Sequence, residues 1–165
     1  MLVSETSASV APGYSLPQSL YTSEASFRTD LSFLRRDMWL LVDHASRIPK
    51  VGDFFTFEIG SDSVIILRDK DDRIKAFHNV CRHRGSRICS TGDGHASRLT
   101  CPYHSWTYGL DGRLIAARDM HDDFVKEDHG LIPVSVGECE GLVFINMAAN
   151  PPCFEAFSSR LRPIM

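Results

Sequence analysis

The sequence predicts a mostly β protein, an antiparallel barrel or sandwich preceded by a short N-terminal helix. Three observations support this class. Short runs of β-branched and aromatic residues recur between positions 39 and 146, as is typical of strands. Two pairs of these runs flank turn-forming sequences, at 69–72 and 110–112, which is the pattern of an antiparallel hairpin. Many short strands at close spacing favour a barrel or sandwich.

The predicted elements follow one another along the chain. Residues 1–17 are rich in Ser, Ala and Pro, and we expect them to be loosely ordered. Thr22 or Ser23 can cap a helix that carries apolar residues at helical spacing and ends near Arg36. The polar, acidic stretch 118–129 is predicted to be loop or a short helix. The predicted strands are 39–42, 54–59, 64–68, 74–77, 106–109, 113–116, 134–136 and 142–146.

Composition limits the class of protein. A length of 165 residues fits one domain with short extensions, and 43% hydrophobic and 24% charged residues are ordinary for a globular protein. The net charge of -3 gives no electrostatic reason to bind nucleic acid or an anionic membrane. The start resembles no signal peptide, and no stretch reaches the about 18 apolar residues of a membrane span. We therefore expect a cytoplasmic protein whose five cysteines are ligands or free thiols.

Four candidate metal ligands lie in two short pairs. Cys81 and His83 form a Cys-x-His pair. Cys101 and His104 form a Cys-x-x-His pair further along the chain. Two thiolates and two imidazoles suit a two-iron, two-sulfide cluster, in which the histidines hold one iron and the cysteines the other. A zinc site is the alternative, although one cysteine and one histidine from each loop is a less usual arrangement for zinc.

The sequences around these pairs are similar to a known family. The segments CRHRG at 81–85, CPYHSWTY at 101–108 and DGRL at 111–114, with AFHNV at 76–80, resemble the Rieske domain of the large subunit of Rieske non-haem iron oxygenases. The resemblance covers roughly residues 37–150. It implies an antiparallel Rieske-type fold with a cluster-binding subdomain and a [2Fe-2S] cofactor. It also implies that both cysteines bind one iron and both histidines the other.

Positions near the ligands separate two branches of Rieske proteins. Respiratory-chain members share an extra cysteine in each ligand loop, and the two form a disulfide. The corresponding positions in this chain are Ser86 and Tyr103, so this disulfide cannot form. Those members also have a serine at the position of Trp106, and this serine is absent here. Tyr108 corresponds to a tyrosine that hydrogen-bonds the sulfur of a ligand cysteine. Fewer hydrogen bonds to sulfur stabilise the reduced cluster less. We therefore predict a potential nearer about -150 mV than about +300 mV, which a redox titration checks.

The other cysteines and two nearby arginines are not predicted to bind the metal. Cys89 is predicted to be a small buried hydrophobic residue, and Cys139 and Cys153 have no ligand spacing. The resemblance implies that Arg84 helps to fix the first ligand loop, and that Arg82 and Arg84 lie near a docking surface.

Large subunits of this family carry a second domain, in which two histidines and a carboxylate hold a mononuclear iron. This resemblance implies three parts for the chain: an N-terminal tail and helix at 1–36, the Rieske domain at 37–150, and at 151–165 the start of a linker to a catalytic domain that is absent. The stretch 118–129 contains suitable residue types, but their spacing does not match the family, and we interpret it as a solvated loop. Those residues are Asp119, His121, Asp122, Asp123, Asp128 and His129.

Two functions follow from the resemblance. In the first, the chain is the electron-transfer domain of a ring-hydroxylating-type mono- or dioxygenase, and whether it is itself an enzyme stays open. It would relay single electrons from a reductase or ferredoxin to a catalytic iron domain. The alternative is a stand-alone Rieske ferredoxin-like carrier. The family forms ring-shaped oligomers, for which this chain gives no support. The segments AARDM at 116–120 and SLP at 15–17 resemble the branch that oxidises quaternary ammonium compounds such as choline or betaines.

Overall fold

The structure is a computed structural model that describes residues 13–118 and 120–161. Within these residues, ten strands form two antiparallel sheets, which confirms the predicted mostly β class. The strands are β1 (Leu40–His44), β2 (Asp53–Ile59), β3 (Asp62–Arg68), β4 (Ile74–His78), β5 (Asp93–His95), β6 (Leu99–Thr100), β7 (Thr107–Tyr108), β8 (Leu114–Ala116), β9 (Pro133–Cys139) and β10 (Leu142–Asn146). The helices are α1 (Gln18–Thr22), α2 (Glu24–Asp37) and α3 (Phe154–Ser158), with 3₁₀ turns at Ala45–Arg47 and Lys126–His129.

Strand β3 is buried along most of its length between two cores. The larger sheet has the order β1-β10-β9-β4-β3-β2-β5. The side chains of β3 alternate between two cores, as a strand requires. Val64 and Ile66 pack in the core between β3 and β10, whereas Ile65 and Leu67 pack in a second core beneath the ligand loops. This apolar strand, buried on both faces, therefore fixes the base on which the ligand loops lie.

The smaller sheet, of order β6-β7-β8, holds the second ligand pair. Leu99 pairs with Tyr108 and Thr100 with Thr107 across β6 and β7. The second pair lies in the short connection between these strands, and the first pair lies in the longer connection between β4 and β5. Both pairs therefore lie in loops between strands, as the predicted strand positions imply.

The N-terminal helix is capped as the sequence predicts. The Ser23 hydroxyl accepts a hydrogen bond from the Ser26 amide at 3.3 Å, so Ser23 rather than Thr22 caps α2. Near the end of α2, Arg35 Nε lies 2.7 Å from Asp62 Oδ2, which attaches the helix to the start of β3. Residues 1–12 of the stretch predicted to be loosely ordered lie outside the described residues.

Several elements were not predicted. The strands β5 and β6 and the helices α1 and α3 are additional, and β9 extends on both sides of the predicted 134–136. The sequence of β5 is Asp-Gly-His, which has low strand propensity, and it forms because it pairs with the start of β2. No helix within residues 13–118 and 120–161 is long and apolar enough to cross a membrane.

Candidate metal centre

The first ligand loop is a tight turn closed by its own backbone. The Cys81 amide donates a hydrogen bond to the Ser86 carbonyl at 2.8 Å, and the Gly85 amide donates to the Cys81 carbonyl at 3.0 Å. Gly85 has a φ of 72°, a left-handed conformation that favours glycine. The turn places His83 at its tip and Cys81 at its base.

The second ligand loop repeats the same two hydrogen bonds at the same spacing. The Cys101 amide donates to the Trp106 carbonyl at 2.8 Å, and the Ser105 amide donates to the Cys101 carbonyl at 3.0 Å. Ser105 has a φ of 60°, although it is not glycine. This turn also carries its histidine at the tip, but His104 lies three residues after its cysteine, whereas His83 lies two residues after Cys81.

The structure brings all four predicted site residues together. The Cys81 and Cys101 side chains are buried, and their thiols interact with each other. The rings of His83 and His104 are half-buried, with centroids 4.7 Å apart and planes at 72°. The two thiols thus form an inner pair and the two imidazoles an outer pair.

Burial favours the neutral forms of the Cys81 thiol and the His83 imidazole. Burial raises the pKa of the Cys81 thiol, and the interaction with Cys101 adds to this effect. Burial, together with the nearby His104 and Arg84, lowers the pKa of His83. A neutral imidazole can bind iron directly, whereas the thiols must lose their protons when metal binds.

Two buried nitrogens of this centre, His83 Nδ1 and Trp106 Nε1, lack a hydrogen-bond partner among the described residues. A buried imidazole nitrogen without a partner is costly unless it binds a metal. The donor set of two thiols and two imidazoles, with this free nitrogen, fits a cluster that carries two donors on each iron. In the described part of the chain, no group of three or more His, Cys, Asp and Glu side chains surrounds a single metal position. A cluster with two protein donors on each iron does not require such a group.

Tyr108 and Asn79 hold the first ligand loop from below. Tyr108 Oη lies 3.3 Å from Cys81 Sγ and accepts the Arg82 amide at 3.0 Å, as the resemblance implies for this tyrosine. The buried Asn79 side chain bonds the backbone at 88–89 on the far side of the loop. Arg84 is exposed, and the role in fixing the loop that the resemblance implies for it stays a prediction.

The two imidazoles have different neighbours. The His83 ring stacks on Trp106 at 4.9 Å, with the planes at 11°. The His104 ring contacts Tyr103 at 3.8 Å, and Tyr103 is 60% exposed. His83 is therefore covered by a buried indole, and His104 by an aromatic ring at the surface.

Sequence reasoning missed the packing of Phe124 and His129 against this region. His121 and Asp123 are exposed as expected for a solvated loop, but His129 packs against Trp106 and Phe124, so the prediction is wrong for His129. An aromatic residue at 124 in an otherwise polar stretch is the signal that could have indicated this contact. Asp119 lies outside the described residues.

The remaining cysteines lie outside the two ligand turns. Cys89 is half-buried against the core beneath the loops, and burial raises its pKa to about 11. Cys139 is buried with Trp39 and Phe144, and Cys153 is exposed at the start of α3. Cys89 is predicted to be a small buried hydrophobic residue; the structure packs it against the core beneath the loops but leaves it half-buried.

Comparison with known proteins identifies the family. The model of the Rieske [2Fe-2S] domain matches residues 38–136, which is more than half of the chain. The chain belongs to the Rieske [2Fe-2S] family. The mostly antiparallel Rieske fold and the [2Fe-2S] cofactor predicted from the sequence are confirmed.

Relatives of this Rieske domain include oxygenase subunits. The glycine betaine monooxygenase oxygenase subunit of Pseudomonas aeruginosa (strain UCBPP-PA14) is 41% identical over 92% of this chain and 36% of its own length. The biphenyl 2,3-dioxygenase subunit alpha of Rhodococcus jostii (strain RHA1) is 38% identical over 86% of this chain and 32% of its own length. The solved structure of the quaternary ammonium Rieske monooxygenase CntA with L-carnitine has a TM-score of 0.80 and 37% identity, covering 89% of this chain and 44% of CntA.

These relatives agree with the predicted branch. The Rieske domain matches oxygenase large subunits, among them those of the quaternary ammonium branch. The chain spans about a third of the length of the curated relatives described above.

Proposed function

We propose that this chain is the electron-relay domain of a Rieske oxygenase that acts on a quaternary ammonium compound. One observation supports it most directly: two turns of the same backbone design bring Cys81, Cys101, His83 and His104 together. The relatives named for glycine betaine and carnitine support the substrate class. The division of the chain at residues 36 and 150 is part of this proposal.

In this proposal, each pair of like side chains holds one iron. The Cys81 and Cys101 thiolates would hold one iron, and the His83 and His104 imidazoles would hold the other. When bound, a cluster of this kind takes up and releases one electron at a time. A Cys81 thiolate has no proton to give, so the buried Tyr108 hydroxyl would donate to this sulfur while its oxygen accepts the Arg82 amide. Neutral imidazoles make the site less negative than four thiolates do, which eases reduction.

The electron path to a partner runs through the exposed side of the centre. His104 reaches the surface beneath Tyr103, whose ring is 60% exposed. Val80 is 42% exposed, and Arg82 and Arg84 are exposed beside the first turn. Apolar and basic side chains around a redox ligand favour contact with an acidic redox partner. We propose a reductase or ferredoxin as the electron donor and a mononuclear iron domain as the acceptor; the cytoplasmic location predicted from the sequence stays a prediction.

Metal analysis of the purified protein tests the ligand assignment. The protein, produced with iron and sulfide available and purified without oxygen, is expected to contain two irons and two acid-labile sulfides per chain. Cys81→Ser and His104→Cys are expected to abolish the normal Rieske absorption and EPR spectra. Cys89→Ala is the matched control, because Cys89 lies beside the first loop but outside the ligand set.

The outcomes separate the alternatives. A normal spectrum in Cys89→Ala together with loss in the other two variants supports the assignment. Zinc without sulfide in the wild-type protein excludes a redox role. Loss of iron from Cys89→Ala contradicts the ligand set. Rapid reduction of the loaded protein by a reductase of a quaternary ammonium oxygenase, and slow reduction by an unrelated reductase, supports the branch.

A further inference from the structure

The segment 121–131 has two different sides. Most of its side chains are exposed, among them His121 and Asp123 at 77% and 91%. Phe124 and His129 are the half-buried aromatic residues of the segment, and their rings contact each other at 4.4 Å. The mostly exposed segment therefore carries one aromatic pair, Phe124 and His129, that packs toward the protein interior.

This aromatic pair contacts the ring that covers His83. The Phe124 and His129 rings meet Trp106 at centroid distances of 5.4 Å and 5.7 Å, at angles of 64° and 76°. Such edge-to-face contacts are favourable for aromatic rings. Trp106 is 2% exposed and lies almost parallel to the His83 ring. The Phe124, His129, Trp106 and His83 rings thus form one continuous aromatic cluster.

The backbone fixes the aromatic pair in place. His129 Nδ1 lies 2.8 Å from the Val125 carbonyl, so the ring donates a hydrogen bond within its own turn. The buried Leu131 follows, and its amide donates to the Gly112 carbonyl at 2.8 Å. The end of the segment is therefore attached to the turn between β7 and β8, the strands that follow the second ligand loop.

We propose that Phe124 and His129 are positioning residues that hold Trp106 stacked on His83, keep water from the His83 imidazole and thereby lower the reduction potential of the cluster. This inference rests on the proposed function. Nothing in it requires Phe124 or His129 to bind metal.

The sign of the effect follows from the charge of the centre. Two ferric ions, two sulfides, two thiolates and two neutral imidazoles sum to zero, and one added electron makes the total negative. Water stabilises the charged, reduced form more than the neutral, oxidised form. The apolar surroundings of a metal site control solvent access and so its potential. Removing the aromatic pair admits water and is expected to shift the potential upward.

Four variants test this proposal on the full chain. Phe124→Ala and His129→Ala remove one ring each, whereas His129→Phe keeps an aromatic ring. Val125→Ala is the matched control, because this side chain is 49% exposed in the same segment and its backbone carbonyl is unchanged. The measurements are iron and sulfide content, thermal unfolding, midpoint potential, and the deuterium coupling in pulsed EPR of the reduced protein in D2O.

We expect both alanine variants of the aromatic pair to keep their iron and sulfide. Their midpoint potentials should shift upward and their deuterium couplings should grow, while His129→Phe and Val125→Ala stay close to the wild type. A merely structural role would lower the unfolding temperature without moving the potential. If Phe124→Ala loses the cluster, Phe124→Leu replaces it, because leucine keeps an apolar side chain without the ring.

Two results overturn the proposal and are distinguishable. If the wild-type protein binds the cluster and the ring-deleting variants have the potential of Val125→Ala, the positioning role is wrong and the proposed function stands. If the wild-type protein contains no iron and sulfide, the proposed function fails and the positioning role fails with it.

Discussion

Tyr108 Oη lies 3.3 Å from Cys81 Sγ while the same oxygen accepts the Arg82 amide at 3.0 Å. The amide occupies a lone pair of the hydroxyl, so the phenolic proton is free to point at the sulfur. Tyr108 is fully buried, and burial raises the pKa of its hydroxyl, which stays protonated. One side chain therefore bonds both the proposed ligand and the backbone next to it.

Tyr108→Phe is expected to lower the reduction potential. A hydrogen bond to sulfur stabilises the more negative, reduced form, and its loss at about 1 kcal/mol corresponds to about 40 mV for one electron. A redox titration of the loaded protein measures the shift. Tyr21→Phe, at an exposed tyrosine of α1, is the control and should leave the potential unchanged. An unchanged or raised potential in Tyr108→Phe would contradict a donor role for this hydroxyl.

Asn79→Ala is expected to destabilise the first ligand loop. Asn79 Oδ1 accepts the Ile88 and Cys89 amides at 3.0 Å and 2.9 Å. Its Nδ2 donates to the Cys89 carbonyl at 2.7 Å and to the Ser63 hydroxyl at 3.0 Å. Alanine leaves buried backbone groups without partners, so we expect the free energy of unfolding to fall by about 3 kcal/mol.

Denaturant unfolding measures this loss, and Asn150→Ala provides the matched control. Asn150 is exposed, so the same change there should alter stability by less than about 0.5 kcal/mol. Equal stability of the two variants would show that the Asn79 hydrogen bonds do not hold the loop.

The sequence predicts the donors better than it predicts their surroundings. Cys81 and His83 could be recognised because local spacing carries the ligand pattern, and the apolar run of β3 could be recognised because it is buried on both faces. The strand β5 could not, since its Asp-Gly-His sequence forms a strand only by pairing with β2. The role of His129 could not either, because it depends on contact with Trp106, which is distant in the sequence.

The left-handed backbone of the two ligand turns could be predicted from the sequence in only one of them. Gly85 could be predicted to need a left-handed backbone from its residue type, but Ser105 adopts the same conformation with a side chain. Only the matching hydrogen bonds of the two loops reveal that both positions are equivalent. Their equivalence leads to a direct test of backbone strain.

Gly85→Ala is expected to lower the free energy of unfolding by about 1 kcal/mol. An added methyl group at Gly85 meets no atom within 4 Å, so the cost comes from the left-handed backbone alone, at a φ of 72°. Gly92→Ala is the control in the same loop, since it also meets no atom within 4 Å and has no left-handed φ. We expect Gly92→Ala to be neutral or to stabilise by up to about 1 kcal/mol. If both variants lose the same stability, backbone strain is not the cause.

Cys89 and Cys153 are expected to react with iodoacetamide at very different rates. Burial raises the pKa of Cys89 to about 11, so at pH 8 only about one thiol in a thousand is the reactive thiolate. Cys153 is exposed and open to the reagent. Mass spectrometry of native protein at pH 8 should find Cys153 modified and Cys89 intact. Because the neutral thiol dominates below pH 11, the Cys89 rate should rise about tenfold for each pH unit while the fold persists, and unfolding should remove the difference. Modification of Cys89 as fast as that of Cys153 in native protein would contradict its burial.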